Sequence, residues 1–400
     1  MTDSSTALTA ATNRIKRRQT SGYFLAFIGI GLIAGVLGPT LPGLAENTAS
    51  RLNQISIIFT TQALGWMIGS YLGGRLYDRV PAHPIIGSLF LLAALIFAII
   101  PFVSSLAILA MALLIVGIGA GAIDVGGNTL LIWVHRKDVG SRMNALHFFF
   151  GVGALIAPII VVQSINAREG IAWAYWLIAL LLIPPGIFLL RTPSPASPFS
   201  RSDAETVDTR WLLVILITLM FFLFVGAELA FGGWIFTYAL SSGHVTAIMA
   251  GYLNSLFWGA LTFGRLLSIP LPDRVRARNI LIVDIIGLIS SLLLLLFASH
   301  VPGVIWIATA GMGLSMANVF PTLMLLAEHH MNITGRITSF FLVGASLGGM
   351  LIPWLIGQFF ESSGPQTTVF WILGTIVLAC FVFGAFLWAI RPKSSIVQNP

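Results

Sequence analysis

Asp124 and Asn128 stand four residues apart in an otherwise apolar run, Ile115 to Trp133, which also carries five glycines. Residues four apart on a helix share one face, so a helix over this run presents the carboxylate and the amide together. At bilayer depth an ionised side chain costs about 3 kcal/mol or more unless it meets a partner or water, which marks Asp124 as a functional candidate. The competing reading is that Asp124 only hydrogen-bonds a neighbouring helix. Carboxylates and planar amides match paired donors and acceptors, and this inventory adds Gln62, Asn254 and Asn318 as candidates for binding a small polar solute. Trp234 and Trp258 supply aromatic faces on which such a solute could stack. Interfacial belts and bundle packing account for membrane tryptophans equally well. Asp124 and Glu228 are the candidates for ion coupling, by carrying a proton or by holding sodium with the same oxygens. His147 is placed to relay protons or bind solute, or simply to hydrogen-bond between helices.

These side chains need elements to hold them, and the chain is built for a membrane. It is 57% hydrophobic and only 9% charged, against roughly 25% charge in soluble domains. Twelve apolar segments fall at about 22 to 45, 53 to 77, 84 to 103, 106 to 134, 142 to 165, 171 to 190, 211 to 240, 246 to 269, 280 to 299, 303 to 327, 337 to 360 and 367 to 390. Each is long enough to cross a bilayer. The polar, basic start is followed by a run of spanning length, so the first segment is expected to stay in the membrane. Gly117 and Gly121 form a small-xxx-small pair that admits a close neighbour. The single cysteine, Cys380, excludes an intrachain disulfide and argues against a thiolate metal site.

Numbering the connections alternately puts 19 of the 21 Lys and Arg residues on the side of the N-terminus, leaving only Arg51 and Arg168 opposite. This asymmetry predicts both termini in the cytoplasm, and the expected location is the plasma (inner) membrane. The basic residues are topology signals and not a nucleic-acid-binding stripe. The expected organisation is a tail at 1 to 20, six helices at 21 to 190, a Pro- and Ser-rich linker at 191 to 210, six helices at 211 to 390 and a tail at 391 to 400.

The two halves repeat at an offset of about 190 to 195 residues. Gly74-Arg75-Leu76 returns as Gly264-Arg265-Leu266, and Gly117-x-Gly119 with Asp124 returns as Gly311-x-Gly313 with Asn318. Arg142 before Pro158 returns as Arg336 before Pro353. Six-plus-six parallel repeats are the plan of major facilitator transporters. Residues 74 to 83, GRLYDRVPAH, resemble the signature of that superfamily between helices two and three: Gly74, Leu76, Asp78 and Arg79 match, while Pro81, Ala82 and His83 depart from it. The resemblance implies an all-α membrane fold of twelve transmembrane helices in two pseudo-twofold-related six-helix bundles. It also implies a conformational latch at Gly74, Asp78 and Arg79, with Asp78 meeting the eleventh helix. Asp124-Val-Gly-Gly-Asn128, Leu146 to Ala154 with Pro158, Val225 to Glu228 with Trp234, and Asn254 with Trp258 and Gly264-Arg265 resemble the branch of L-fucose:proton symporters and sodium-dependent glucose transporters. The acid that fucose symporters have in the first helix is absent between Tyr23 and Ala45. In the superfamily helices one, four, seven and ten line the cavity, which implies that Asp124, Glu228 and Asn318 do so here.

Counting residues, Asp124 and Asn318 each lie about ten residues, roughly 15 Å, from the cytoplasmic ends of their helices, facing each other across the pseudo-twofold axis. Asp284 is expected to pair with Arg276 and Arg278, and Glu328, His329 and His330 to be solvated or interfacial. The reading that follows is a secondary transporter of a sugar or similar small polar solute by alternating access, coupled to protons or sodium. It takes a small-molecule substrate within the lipid bilayer, as a monomer, with no nucleic acid, metal or cofactor. The alternative is efflux of an amphipathic or drug-like compound, favoured if Phe148, Phe149, Phe221 and Phe231 line the cavity. No Ser-His-Asp spacing, His-Glu-x-x-His or nucleotide loop points to an enzyme.

Overall fold

In hydrocarbon every backbone N–H and C=O must be satisfied within its own segment, so long apolar runs fold as helices. The computed structural model describes residues 2 to 77, 79 to 136, 139 to 167, 170 to 196, 210 to 243, 245 to 268, 275 to 301, 303 to 331 and 335 to 391. Its first half comprises α1 (Thr2–Asn47), the short α2 (Leu52–Ile55), α3 (Ile57–Tyr77), α4 (Ala82–Ile99), α5 (Leu106–His135), α6 (Gly140–Asn166) and α7 (Ala172–Leu190). Its second half comprises α8 (Trp211–Ser241), α9 (Ala247–Leu267), α10 (Ala277–Ala298), α11 (Val304–Met316), α12 (Val319–His330), α13 (Gly335–Ser363) and α14 (Gln366–Ala389). With α2 leading into α3 and α11 into α12, these helices make twelve passes. Among the described residues, eleven of them are long and apolar enough to span a bilayer. The remaining pass, α9, has 21 residues and is more polar because it carries Asn254, Ser255, Thr262 and Arg265.

The sequence repeat reappears as packing. In the first half α1 packs on α6, α3 on α5 and α4 on α7; in the second α8 packs on α13, α9 on α11 and α10 on α14. Without a hydrophobic drive between helices in lipid, such pairs are held by close backbone approach. Gly65, Gly69 and Gly73 of α3 lie against Gly117, Gly121 and Ala122 of α5, where a Cβ on Gly69 or Gly121 would run into the carbonyl of Ile118 or Trp66. Gly226 and Gly348 join α8 to α13 in the same way, and Gly31 and Gly153 join α1 to α6.

The halves meet through α1 with α8, α3 with α13 and α6 with α9. Most of these contacts lie on the face opposite the termini. There Gln358 Nε2 donates to the Asn53 carbonyl at 2.8 Å and to Ser56 Oγ at 3.1 Å, and Leu52 N–H donates to Glu361 Oε1 at 2.8 Å. Gln163 Nε2 donates to the Tyr252 hydroxyl at 3.2 Å, and nearer mid-depth Thr60 Oγ1 donates to the Met350 carbonyl at 3.0 Å. Gly38 sits against the carbonyls of Gly232 and Gly233.

Candidate functional site

On α5, Gly117 and Gly121 face α3, while Gly127 faces Phe27 of α1. Asp124 and Asn128 continue the Gly117 and Gly121 face and so meet α3, a helix that also touches the other half. Asp124 is half-buried. Trp66 Nε1 donates to its Oδ2 at 3.2 Å, and Asn128 Nδ2 donates to its Oδ1 at 3.0 Å and to its backbone carbonyl at 2.9 Å. Gln62, one turn from Trp66, is also half-buried, and its Nε2 lacks a hydrogen-bond partner. Asp124, Asn128 and Gln62 thus gather on one seam. Trp66 joins them, although sequence reading passed over it. The signal available was the Gly65-Gly69-Gly73 stripe, which fits Gly117 and Gly121 and carries Trp66 along with it.

A second polar group spans α8 and α9. Arg265 Nη2 lies 3.8 Å from Glu228 Oε1, with the side chains 24% and 13% exposed. The same guanidinium is close enough to act electrostatically on His147 of α6, whose ring meets Phe27 edge-on at 5.7 Å. Arg265 therefore does more than set topology. Its side chain turns into the protein and places a charge where the two halves adjoin.

The other predicted residues lie elsewhere. Trp234 is fully buried, donates to the Pro353 carbonyl at 2.9 Å and stacks on Phe360 at 5.0 Å. Asn254 is also fully buried and spends its amide on the Gly232 carbonyl at 2.6 Å. Trp258, 4% exposed, packs against Phe257 and covers Gly232. Asn318 does not face Asp124 across the axis but turns to Asp284 on α10, its Nδ2 lying 3.5 Å from Oδ1. Asp284 is buried and makes no ion pair with Arg276 or Arg278, which corrects that expectation. It sits seven residues inside α10, on the face that meets α11, whereas the arginines stand at the exposed helix start. Phe221 and Phe231 are core residues, packed on Phe341 and Phe257.

Of the latch residues, Asp78 lies outside the described residues, Arg79 is exposed, and a Cβ on Gly74 would meet only Val125, at 3.8 Å. His83, which departs from the signature, is wholly buried. Its Nδ1 donates to the Thr192 carbonyl at 2.9 Å, since a carbonyl can only accept, and that leaves Nε2 to accept from Tyr23 Oη at 2.9 Å.

Two pseudo-symmetric six-helix bundles with half-buried charged and amide groups where they adjoin define a polytopic membrane transporter. A model of the Major Facilitator Superfamily matches residues 21 to 353, and the chain belongs to that family. Sodium-dependent glucose transporter 1 of Xenopus laevis is 32% identical over 399 residues, covering 91% of this chain and 79% of the relative. The Homo sapiens protein of that name is 31% identical, covering 83% and 71%. Major facilitator superfamily domain-containing protein 4A of Pongo abelii is 26% identical, covering 92% and 90%. Among solved structures, the nucleoside transporter NupG is similar with a TM-score of 0.73 at 15% identity, over 95% of this chain and 100% of its own. A bacterial homolog of the human lysosomal transporter Spinster is similar with a TM-score of 0.72 at 13% identity, over 95% and 97%. At such identities the structural likeness speaks to the fold. The chain is thus an integral, multi-pass membrane transporter of a small-molecule substrate, and not an enzyme.

Proposed function

We propose that this transporter moves a sugar or similar small polyol by alternating access, coupled to a proton or sodium gradient. The observation that carries this reading is the Asp124, Asn128 and Trp66 group. It sets a half-buried carboxylate, an amide and an indole on one seam near mid-depth, beside the contacts between the halves. Those are the groups that hold hydroxyls and a sugar's C–H face, and the carboxylate adds a group able to carry a cation. The names of the relatives at 31 to 32% identity support the same solute class. Of the four phenylalanines that would favour an apolar, drug-accepting chamber, Phe221 and Phe231 are buried in the core, whereas Phe148 and Phe149 are half-buried. With both termini in the cytoplasm, as the basic residues indicate, the face joined by Gln358 with Asn53 and Ser56 and by Gln163 with Tyr252 is the outer one. The transporter acts as a monomer, without nucleic acid or a resident cofactor.

The test is uptake of labelled hexoses and deoxyhexoses into proteoliposomes under an imposed sodium or proton gradient. Asp124→Asn should abolish accumulation above the external concentration while leaving insertion and the melting temperature intact. Retained accumulation by the variant would remove Asp124 from coupling, and no uptake of any sugar by the unaltered protein would overturn the solute class.

A further inference from the structure

The helical hydrogen bonding of the tenth pass is interrupted at Ala317 and Asn318, between α11 and α12, while both residues keep right-handed helical dihedrals. Pro321 follows, and because proline has no N–H the Ala317 carbonyl loses its helical donor. Facing the break from α10 is Asp284, 5% exposed. Its 3.5 Å approach to Asn318 Nδ2 is longer than the roughly 2.7–2.9 Å of a charge-assisted hydrogen bond. Asp284 Oδ2 and Asn318 Oδ1 are both buried and neither has a hydrogen-bond partner. Ser315, one turn before Asn318 on the same face of the pass, presses its Oγ against Gly287, one turn after Asp284 on α10. A carboxylate, an amide and a hydroxyl thus line one seam between α10 and the tenth pass, beside the carbonyl that Pro321 leaves without its helical donor.

Two unpartnered buried oxygens need a donor or a cation, and no Lys, Arg or His among the described residues makes an ion pair with Asp284. A set of mixed oxygen donors with a single negative charge suits one positive charge. Divalent ions gather more carboxylates, and no cluster of three acidic, His or Cys side chains occurs among the described residues. We propose that Asp284, Asn318 and Ser315 form a binding site for a small monovalent cation of the sodium class at the break of the tenth pass. This site lies on a different helix seam from Asp124, and it stands whatever solute the transporter carries.

The test uses the purified full chain in detergent. Its melting temperature is followed in sodium, lithium, potassium and choline chloride at equal ionic strength and fixed pH. Sodium should raise it over choline by at least about 2 °C, saturating with concentration, since a ligand of the native state stabilises it. Asp284→Asn and Asn318→Leu should abolish the rise, Ser315→Ala should shift the half-saturating concentration upward about tenfold, and Asp124→Asn should keep the response. Binding of radioactive sodium, displaced by unlabelled sodium, gives a second readout that does not depend on melting. If Asp284→Asn does not fold, the Asn318 and Ser315 variants decide. The proposal fails if the unaltered protein neither melts higher in sodium nor binds it. It fails equally if Asp124→Asn loses the response, if Asp284→Asn keeps it, or if melting depends on pH through Asp284 and on no cation, which would identify a proton-bearing carboxyl.

Discussion

Glu228 and Arg265 form an ion pair at 3.8 Å, neither solvated nor fully buried. A surface pair of this length is worth about 0–1 kcal/mol, whereas breaking a buried pair on one side costs about 3–5 kcal/mol. At 13% and 24% exposure the expected loss for Arg265→Gln lies between those limits, about 1–3 kcal/mol. Most of that loss is the penalty of the stranded carboxylate, so Glu228→Gln together with Arg265→Gln should melt higher than Arg265→Gln alone. A double-mutant cycle of melting curves measures the coupling, and strictly additive losses would show that the two charges ignore each other. Sequence reading singled out Asp124 and Asn128 because an acid in a lipid-spanning run is conspicuous alone. It undervalued Trp66 and Arg265, since a tryptophan among eleven and an arginine near a helix end carry no sign of their partner until the helices are docked. Trp234 and Asn254 had suitable chemistry, but α8 is apolar almost all round, so nothing in the sequence said which of its faces looks inward, and only the docked helices show the Asn254 amide spent on the Gly232 carbonyl.

The glycine seams make a separate claim about the helices themselves. On α3, a Cβ at Gly69 would strike the Ile118 backbone, which cannot move aside as a side chain would. Gly69→Ala should therefore cost about 1–3 kcal/mol by overpacking. At Gly374 on α14 nothing lies within 4 Å of the added methyl. Gly374→Ala should be neutral, or gain up to about 1 kcal/mol from helix propensity. Melting temperatures of the two variants in one detergent make the comparison, and equal values would mean that α3 and α5 are not held by backbone contact. The twelve passes were legible because segment length and the alternation of basic ends are each fixed by the bilayer. The break of the tenth pass was not. Pro158 and Pro353 lie inside the unbroken helices α6 and α13, so Pro321 alone does not announce an interruption.

For the molecule as a whole, the balance between its two openings should depend on the contacts that seal the face away from the termini. Ser56 is fully buried there, accepts from Gln358 and touches Gly357. On the same face Gly251 of α9 packs against Val162 of α6, where the side chain of Val162 leaves no room for a Cβ. Gly251→Leu is therefore a wedge between the halves, and its overpacking, about 1–3 kcal/mol, falls on the conformation in which this face is shut. A ligand or substitution shifts a two-state equilibrium only by its differential effect on the two states, and each 1.4 kcal/mol is about tenfold in population. With the native Cys380 replaced by Ser and Ser56→Cys as reporter, a membrane-impermeant maleimide added on the Ser56 side should react slowly. Adding Gly251→Leu should raise that rate about tenfold or more, while a reporter on the opposite face becomes correspondingly less reactive. If the wedge leaves both rates unchanged, the halves do not exchange by opening along the α6 and α9 seam, and the rocking of one bundle against the other must pivot elsewhere.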